Sequence, residues 1–160
     1  MLDLSRVLSG PHCTRMLADL GGPPLHDTIP GFHDTKKRFR AFGDAVQRDR
    51  ANRAASARDM IEFASRREGQ AGVLVELLAQ GKLPERVTHN DTKLNNVLID
   101  ERSGEGICVI DLDTVMPGSA LYDFGDMVRV AANLGAEDER DLSKVGLNLE
   151  RFEELTTGYL

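Results

Sequence analysis

The feature that most constrains the fold of this chain is a pair of short apolar runs on either side of one polar segment. Residues 97–99 (Val-Leu-Ile) and 107–110 (Ile-Cys-Val-Ile) are rich in β-branched side chains, and residues 101–106 between them are polar with two glycines. This pattern predicts a β-hairpin. Asn96 precedes the first run and Asp111 follows the second. Because antiparallel pairing brings the outer ends of a hairpin together, these two side chains are expected to meet.

Further polar groups lie just upstream of this hairpin, where Asp91 precedes Asn96 by five positions. Transfer of a γ-phosphoryl group needs an oriented hydroxyl and cations that neutralise the phosphate oxygens. Asp91 can accept the hydroxyl proton, and Asn96 and Asp111 offer the oxygen ligands that Mg²⁺ prefers. Because like charges repel at short range, converging carboxylates of Asp91, Asp111 and Asp113 would also favour a divalent cation. The pattern predicts phosphoryl transfer with magnesium.

The order H-x-D-x-x-x-x-N, followed by a strand that ends in Asp, resembles the catalytic and metal-binding segments of kinase-like phosphotransferases. Residues 88–97, 109–118 and 121–126 together resemble the aminoglycoside phosphotransferase family, and within it the branch of N-acetylhexosamine 1-kinases and related sugar kinases. The likeness extends upstream through residues 28–35. It implies ATP and Mg²⁺ as cofactors and a small, sugar-like acceptor.

The resemblance also implies roles for individual residues. Asp91 takes the position of the catalytic base, and Asn96 and Asp111 bind the metal and nucleotide. Asp113 falls where the family often carries a second acidic residue near the metal. Each of these side chains has an ordinary alternative as a turn residue that bonds nearby backbone, but their joint spacing favours the catalytic interpretation.

Other residues have more evenly balanced interpretations. His89 is expected to orient the loop, with a packed, hydrogen-bonded histidine as the alternative. Lys93 lies where protein kinases carry a lysine that neutralises the transferring phosphate, and a solvated charge is its alternative. The resemblance implies that Asp123 braces the catalytic loop from a following helix. Asp123 and Asp126 are also predicted as the N-cap and first-turn acid of that helix.

Outside the motifs the sequence favours helices. Periodicity and capping signals predict helices over residues 2–19, from residue 35 with Asp34 or Thr35 as cap, and over 52–68, 72–80, 122–134 and 149–159, with an extended segment at 28–31. The predicted fold class is α+β, mainly helical, and it resembles the C-terminal lobe of the protein-kinase-like fold with a small hairpin. No glycine-rich phosphate loop occurs among the 15 glycines. Residues 1–160 are therefore expected to form one partial domain that lacks the N-terminal nucleotide-binding lobe and that, by itself, turns over ATP poorly or not at all.

Composition excludes several classes of partner. The chain is 41% hydrophobic and 29% charged, with a net charge of -6 and a pI near 5.2. This acidity argues against a nucleic-acid partner, and no apolar stretch is long enough for a membrane span. Cys13 and Cys108 are too few for a disulfide framework, so both are expected to be reduced and structural, in a cytoplasmic protein. No feature indicates an oligomeric state.

Three other functions are weighed against the kinase hypothesis. A haloacid-dehalogenase-type phosphohydrolase would use Asp111 as nucleophile and Asp113 as general acid, but it needs parallel βαβ units downstream, where this chain favours helices. An EF-hand loop would need Gly and Glu where Met116 and Tyr122 stand. A non-catalytic nucleotide- or sugar-binding or interaction module stays open. Candidate acceptor-pocket residues, each with an ordinary capping or surface alternative, are His33, Asp34 and Arg129.

Overall fold

A computed structural model describes residues 26–159. They form two compact units: residues 29–84, called here the helical unit, and residues 26–28 with 85–159, called the site unit. The helix predicted over residues 2–19 and Cys13 lie outside the described residues. In the part of the chain that the structure describes, every helix is too short or too polar to cross a membrane.

The helical unit contains α1 (Thr35–Arg48), α2 (Arg58–Ser65), α3 (Glu68–Ala71) and α4 (Val73–Ala79), with a 3₁₀ turn at Ala55–Ala57 before α2. Asp34 caps α1 by accepting a hydrogen bond of 2.8 Å from the Lys37 amide, so one of the two predicted caps is confirmed. The predicted stop after α4 is also confirmed. Gly81 has a φ of 67°, and the amides of Gly81 and Lys82 return to the carbonyls of Leu78 and Leu77, which is a Schellman ending.

Two predictions in the helical unit are wrong in detail. The single helix over 52–68 is divided, because the Arg67 amide bonds the Ala64 carbonyl in a tight turn and ends α2 before α3 begins. The segment 28–31 is not extended. The Phe32 amide bonds the Ile29 carbonyl at 3.1 Å and Gly31 has a φ of 71°, so Pro30 and Gly31 form the middle of a turn, as this residue pair favours.

The site unit contains two separate antiparallel strand pairs. β1 (Arg86–Thr88) pairs with β4 (Met116–Gly118), and β2 (Val97–Ile99) pairs with β3 (Gly106–Val109). The β2–β3 pair confirms the predicted hairpin, with Val97 opposite Val109. The β1–β4 pair was not predicted. Cys108 in β3 is free and exposed, which does not fit its predicted structural role. Leu98, which lies opposite Cys108 in β2, is exposed as well.

Two helices complete the site unit, α5 (Ala120–Ala131) and α6 (Leu149–Tyr159). They confirm the two predicted C-terminal helices, although α5 begins two residues before the predicted start. Its N-cap is Ser119, whose hydroxyl accepts the Leu121 amide at 3.3 Å, and Asp123 lies in the first turn. The alternative of Asp123 as N-cap and Asp126 as first-turn acid is therefore wrong. The core between the helices and β2 consists of Val97, Met127, Ala132 and Leu155, with Phe124, Phe152 and Tyr159 packed against it. This core holds α5 behind the loops that carry the site residues.

Candidate active site

The β1–β4 pair carries the segment that contains Asp91. The last ladder pair joins Thr88 to Met116, and residues 89–93 leave the ladder as a loop. Asn90 turns the chain here with a φ of 67°, a left-handed conformation that asparagine tolerates better than most residues. Because the ladder fixes the start of this loop, the position of Asp91 depends on what holds residues 89–93.

Asp123 of α5 holds that loop from behind. Its carboxylate is 1% exposed and accepts the His89 amide at 3.0 Å and the Asn90 amide at 2.7 Å. Burial raises the pKa of Asp123, and the two amide bonds oppose this shift without cancelling it. Thr92 adds a third contact, from its hydroxyl to the Asp123 carbonyl at 2.7 Å. The brace implied by the resemblance is therefore present in the contacts of Asp123.

His89 links the loop to the end of the hairpin. Its Nε2 lies 3.0 Å from the Ile110 carbonyl, and its Nδ1 accepts the Asp91 amide at 3.3 Å. A carbonyl can only accept, so Nε2 must carry the hydrogen and Nδ1 must offer a lone pair. The His89 ring thus orients two backbone groups, one beside each of the predicted site carboxylates.

The Asp91 carboxylate is held through one oxygen. Oδ2 accepts Lys93 Nζ at 2.9 Å and Asn96 Nδ2 at 2.9 Å, while Oδ1 has no hydrogen bond to any residue in 26–159. Partial burial opposes ionisation, but the bonds from Lys93 and Asn96 outweigh it and hold the pKa of Asp91 below its ordinary value. Asp91 is therefore an oriented carboxylate with one oxygen open to a ligand.

Asn96 and Asp111 lie at the two ends of the hairpin that the sequence predicted would meet. The Ile110 amide donates to the Asn96 carbonyl at 2.9 Å, which joins the residue before Asp111 to Asn96 directly. Asp111 itself is exposed, with a φ of 62°. The hydrogen bond with Asp91 raises the pKa of Lys93, and the charge of Asp111 contributes to the same shift. Lys93 therefore lies within electrostatic range of both carboxylates.

The oxygen donors at this place suit magnesium. Within residues 26–159 there is no group of three or more His, Cys, Asp or Glu side chains able to hold a metal ion, so any metal here depends on a mixed donor set. Asn96 uses only Nδ2 in its bonds to Asp91, which leaves its Oδ1 available. The Asp111 carboxylate has no hydrogen bond or ion pair within the described chain. One carboxamide and one carboxylate fit an ion that keeps several waters and also binds phosphate.

The remaining candidates have varied surroundings. Asp113 is exposed in the 3₁₀ turn Leu112–Thr114, two residues beyond Asp111. Asp126 lies within α5 and binds Arg129, whose Nε and Nη2 are 3.0 and 2.8 Å from its Oδ1. Arg129 also donates to Glu137 at 2.8 Å. Of the helical-unit candidates, Asp34 caps α1, and the His33 ring packs edge-on against Phe32.

Thr88, Asn90 and Thr114 were not among the predicted site residues. Asn90 and Thr114 hydrogen-bond the loop around Asp91 to the turn after Asp111, and the Thr88 hydroxyl holds the Asn90 side chain. Their only signal is position: each lies one to three residues from a predicted site residue, in a polar type that commonly bonds backbone.

A model of the phosphotransferase enzyme family (APH) matches residues 11–155. The chain belongs to this family. The family is protein-kinase-like, and its members use ATP, usually with Mg²⁺, to phosphorylate small molecules. The mixture of helices and small antiparallel sheets described above agrees with part of such a fold. Family membership therefore supports a kinase or phosphotransferase.

Proposed function

We propose that this chain transfers the γ-phosphoryl group of ATP to a hydroxyl of a small polar acceptor, with Asp91 as the catalytic base. The observation that carries this proposal is the Asp91 carboxylate, which is held at Oδ2 by Lys93 and Asn96 and open at Oδ1. In the reaction the acceptor oxygen bonds to the γ-phosphorus, the bond from that phosphorus to ADP breaks, and the hydroxyl proton passes to Asp91. Because its pKa is lowered, Asp91 orients the hydroxyl and takes the proton late, as a loose transition state allows.

The other residues of the site divide the remaining tasks. Asn96 and Asp111 would hold Mg²⁺, with Asp113 as a nearby second carboxylate, and the bound ion supplies charge neutralisation for the phosphate oxygens. Lys93 holds Oδ2 of Asp91 and adds a positive charge beside the transferring group. His89 orients the Asp91 amide. These assignments cover the residues predicted for catalysis and for metal binding.

For the acceptor we propose a sugar hydroxyl, with the anomeric hydroxyl of an N-acetylhexosamine as the leading candidate. Its support is the resemblance of residues 88–97, 109–118 and 121–126 to sugar kinases. The phosphohydrolase alternative loses support because, among the described strands, both pairs that flank Asp111 are antiparallel. It would need a parallel sheet. Two statements stay predictions: that residues 1–160 form one partial kinase-like domain, and that they turn over ATP poorly or not at all without another lobe.

The test is accumulation of phosphorylated acceptor from ATP and Mg²⁺, followed by phosphorus NMR over hours so that slow turnover is still measured. Asp91→Asn is expected to lower the rate by roughly 10²- to 10⁴-fold, the usual loss on removing a general base. Asp100→Asn is the matched control, because Asp100 bonds only its own hairpin turn. An unchanged rate in Asp91→Asn would show that Asp91 is not the base.

A panel of acceptors separates the finer proposal from the coarser one. A product whose phosphorus couples to the anomeric proton supports an N-acetylhexosamine 1-kinase. Phosphorylation of other alcohols alone would contradict the sugar assignment and leave the phosphotransferase intact. Binding of Mg²⁺ and ADP with no product from any acceptor would favour the non-catalytic module.

A further inference from the structure

Side chains extend the β1–β4 connection beyond the end of its ladder. After the last pair, Thr88 and Met116, the left-handed backbone of Asn90 turns the chain away from β4. Two side-chain hydrogen bonds then join the segment that follows β1 to the segment that precedes β4. Asn90 Nδ2 donates to the Thr114 carbonyl at 2.9 Å, and Thr114 Oγ1 donates to the His89 carbonyl at 2.7 Å. The two loops are thus joined where backbone pairing has stopped.

The Asn90 side chain is fixed in this orientation by its neighbours. Its Oδ1 lies 3.0 Å from the Thr88 hydroxyl and its Nδ2 lies 3.2 Å from the Thr88 carbonyl. Both residues are buried, with exposed fractions of 5% for Asn90 and 2% for Thr88. Gly118 makes room for them, because a Cβ there would lie 2.5 Å from Thr88 Oγ1 and 3.2 Å from Asn90 Oδ1. A buried amide with this many partners has one low-energy orientation.

We propose that Asn90 and Thr114 are positioning residues, which clamp the loop of Asp91 to the turn that follows Asp111. The roles of Asp91 and Asp111 in this inference rest on the proposed function. Asn90 directly precedes Asp91, and Thr114 ends the 3₁₀ turn that begins after Asp111. On the other side of Asp111, Ile110 is already bonded to Asn96 and His89. These two bonds hold the turn on the side that precedes Asp111. A second tie, through Asn90 and Thr114, fixes the direction of Asp111 relative to Asp91.

The first test uses the full chain and does not depend on turnover. Amide hydrogen exchange is measured by NMR at His89, whose amide bonds Asp123, and at Val115, whose amide bonds Leu112. Asn90→Gly allows the left-handed backbone without steric strain and removes the side chain, and Thr114→Val replaces the hydroxyl with a methyl group. Thr114→Val removes one hydrogen bond and is expected to raise exchange at both amides by roughly fivefold to tenfold. Asn90→Gly removes all three bonds of the Asn90 side chain and should raise exchange at least as much.

Three comparisons keep this test decisive. Thr114→Ser restores the hydroxyl and is expected to bring exchange back to within about twofold of the wild type. Ser119→Ala weakens the α5 cap without touching the clamp and should speed exchange in the first turn of α5 instead. Because both bonds belong to one clamp, Asn90→Gly with Thr114→Val should raise exchange less than the product of the single effects. Faster exchange confined to the substituted loop, or fully multiplicative effects, would overturn the clamp.

The second test connects the clamp to phosphoryl transfer. In the clamp variants kcat is expected to fall by about tenfold or more while KM for the acceptor changes little, since a misdirected base affects the reacting geometry. Thr114→Ser should recover kcat. Equal losses in Ser119→Ala would indicate a general structural effect and overturn the positioning role. If the exchange results hold while Asp91→Asn leaves turnover unchanged, the clamp stands and the proposed function fails. If Asp91→Asn abolishes turnover while exchange at His89 and Val115 is unchanged in the clamp variants, the proposed function stands and the clamp fails.

Discussion

The helical unit and the site unit are stabilised in different ways. Within the described residues, all the buried polar side chains lie in the site unit: Thr88, His89, Asn90, Thr92, Asn96, Ser119 and Asp123. The buried apolar residues of the core lie there too. In the helical unit the specific contacts are caps and partly exposed pairs, such as Asp34 on α1 and Lys36 with Glu76.

This difference indicates where the sequence is least free to change. A buried polar group costs free energy unless every partner is in place, so the site unit depends on complete hydrogen bonding around residues 88–92. Exposed caps and ion pairs contribute less and tolerate exchange between similar residues. The same substitution should therefore have unequal effects in the two units.

The largest difference in stability loss between the two units is expected for Asp→Asn substitutions. Asp123→Asn keeps the side-chain volume, but one of the His89 and Asn90 amides then faces an NH₂ group in place of an oxygen. Leaving a buried donor unsatisfied should lower the free energy of unfolding by about 3 kcal/mol. Asp34→Asn is the control in the helical unit. Asparagine caps helices as well as aspartate, so its effect should stay within about 0.5 kcal/mol.

Urea unfolding followed by circular dichroism measures both variants. Similar stabilities for Asp123→Asn and the wild type would contradict the dependence of the site unit on this carboxylate. A large loss in Asp34→Asn would remove the contrast between the units.

The second difference in stability between the units is expected for Gly→Ala substitutions. Gly118→Ala places a Cβ 2.5 Å from the Thr88 hydroxyl, a distance that forces a shift in the buried network. Overpacking of this kind is expected to destabilise the protein by about 2 kcal/mol. Gly43→Ala, within α1, meets no atom within 4 Å and should instead stabilise by roughly 0.5 to 1 kcal/mol. Thermal unfolding of the two variants gives the sign directly, and a stabilising Gly118→Ala would show that the network accommodates the methyl group.

How well these features could be predicted depends on how far apart in sequence the interacting residues lie. The β2–β3 hairpin could be predicted, because its apolar runs and polar turn are local. The β1–β4 pair could not be predicted, because each strand has only three residues and the two strands are remote in sequence. The middle residue of β4 is Pro117, a residue type that strands seldom contain. For Asp123 the local pattern offered only a helix cap, whereas Ser119 does the capping; the contact of its carboxylate with the loop was implied by the family resemblance alone. The contacts of Asn90 and Thr114 depend on that remote pairing, so local sequence patterns could not predict them.

The smallest expected effect is a pH dependence that reports on the site unit alone. The chain has two tyrosines, Tyr122 and Tyr159, and both lie in this unit. Burial raises the pKa of Tyr159 to about 12, with a smaller contribution from the charge of Asp123, and its hydroxyl donates to the Ala120 carbonyl at 2.9 Å. Above pH 10 the unfolded chain therefore loses a proton that the folded chain retains. The stability contributed by Tyr159 is complete below pH 10 and declines as pH rises toward 12.

Tyr159→Phe should flatten this decline and lower stability at neutral pH by about 1 kcal/mol, the usual value of one hydrogen bond. Equal slopes for Tyr159→Phe and the wild type between pH 10 and 12, measured by urea unfolding, would contradict the raised pKa and the link between α6 and the start of α5.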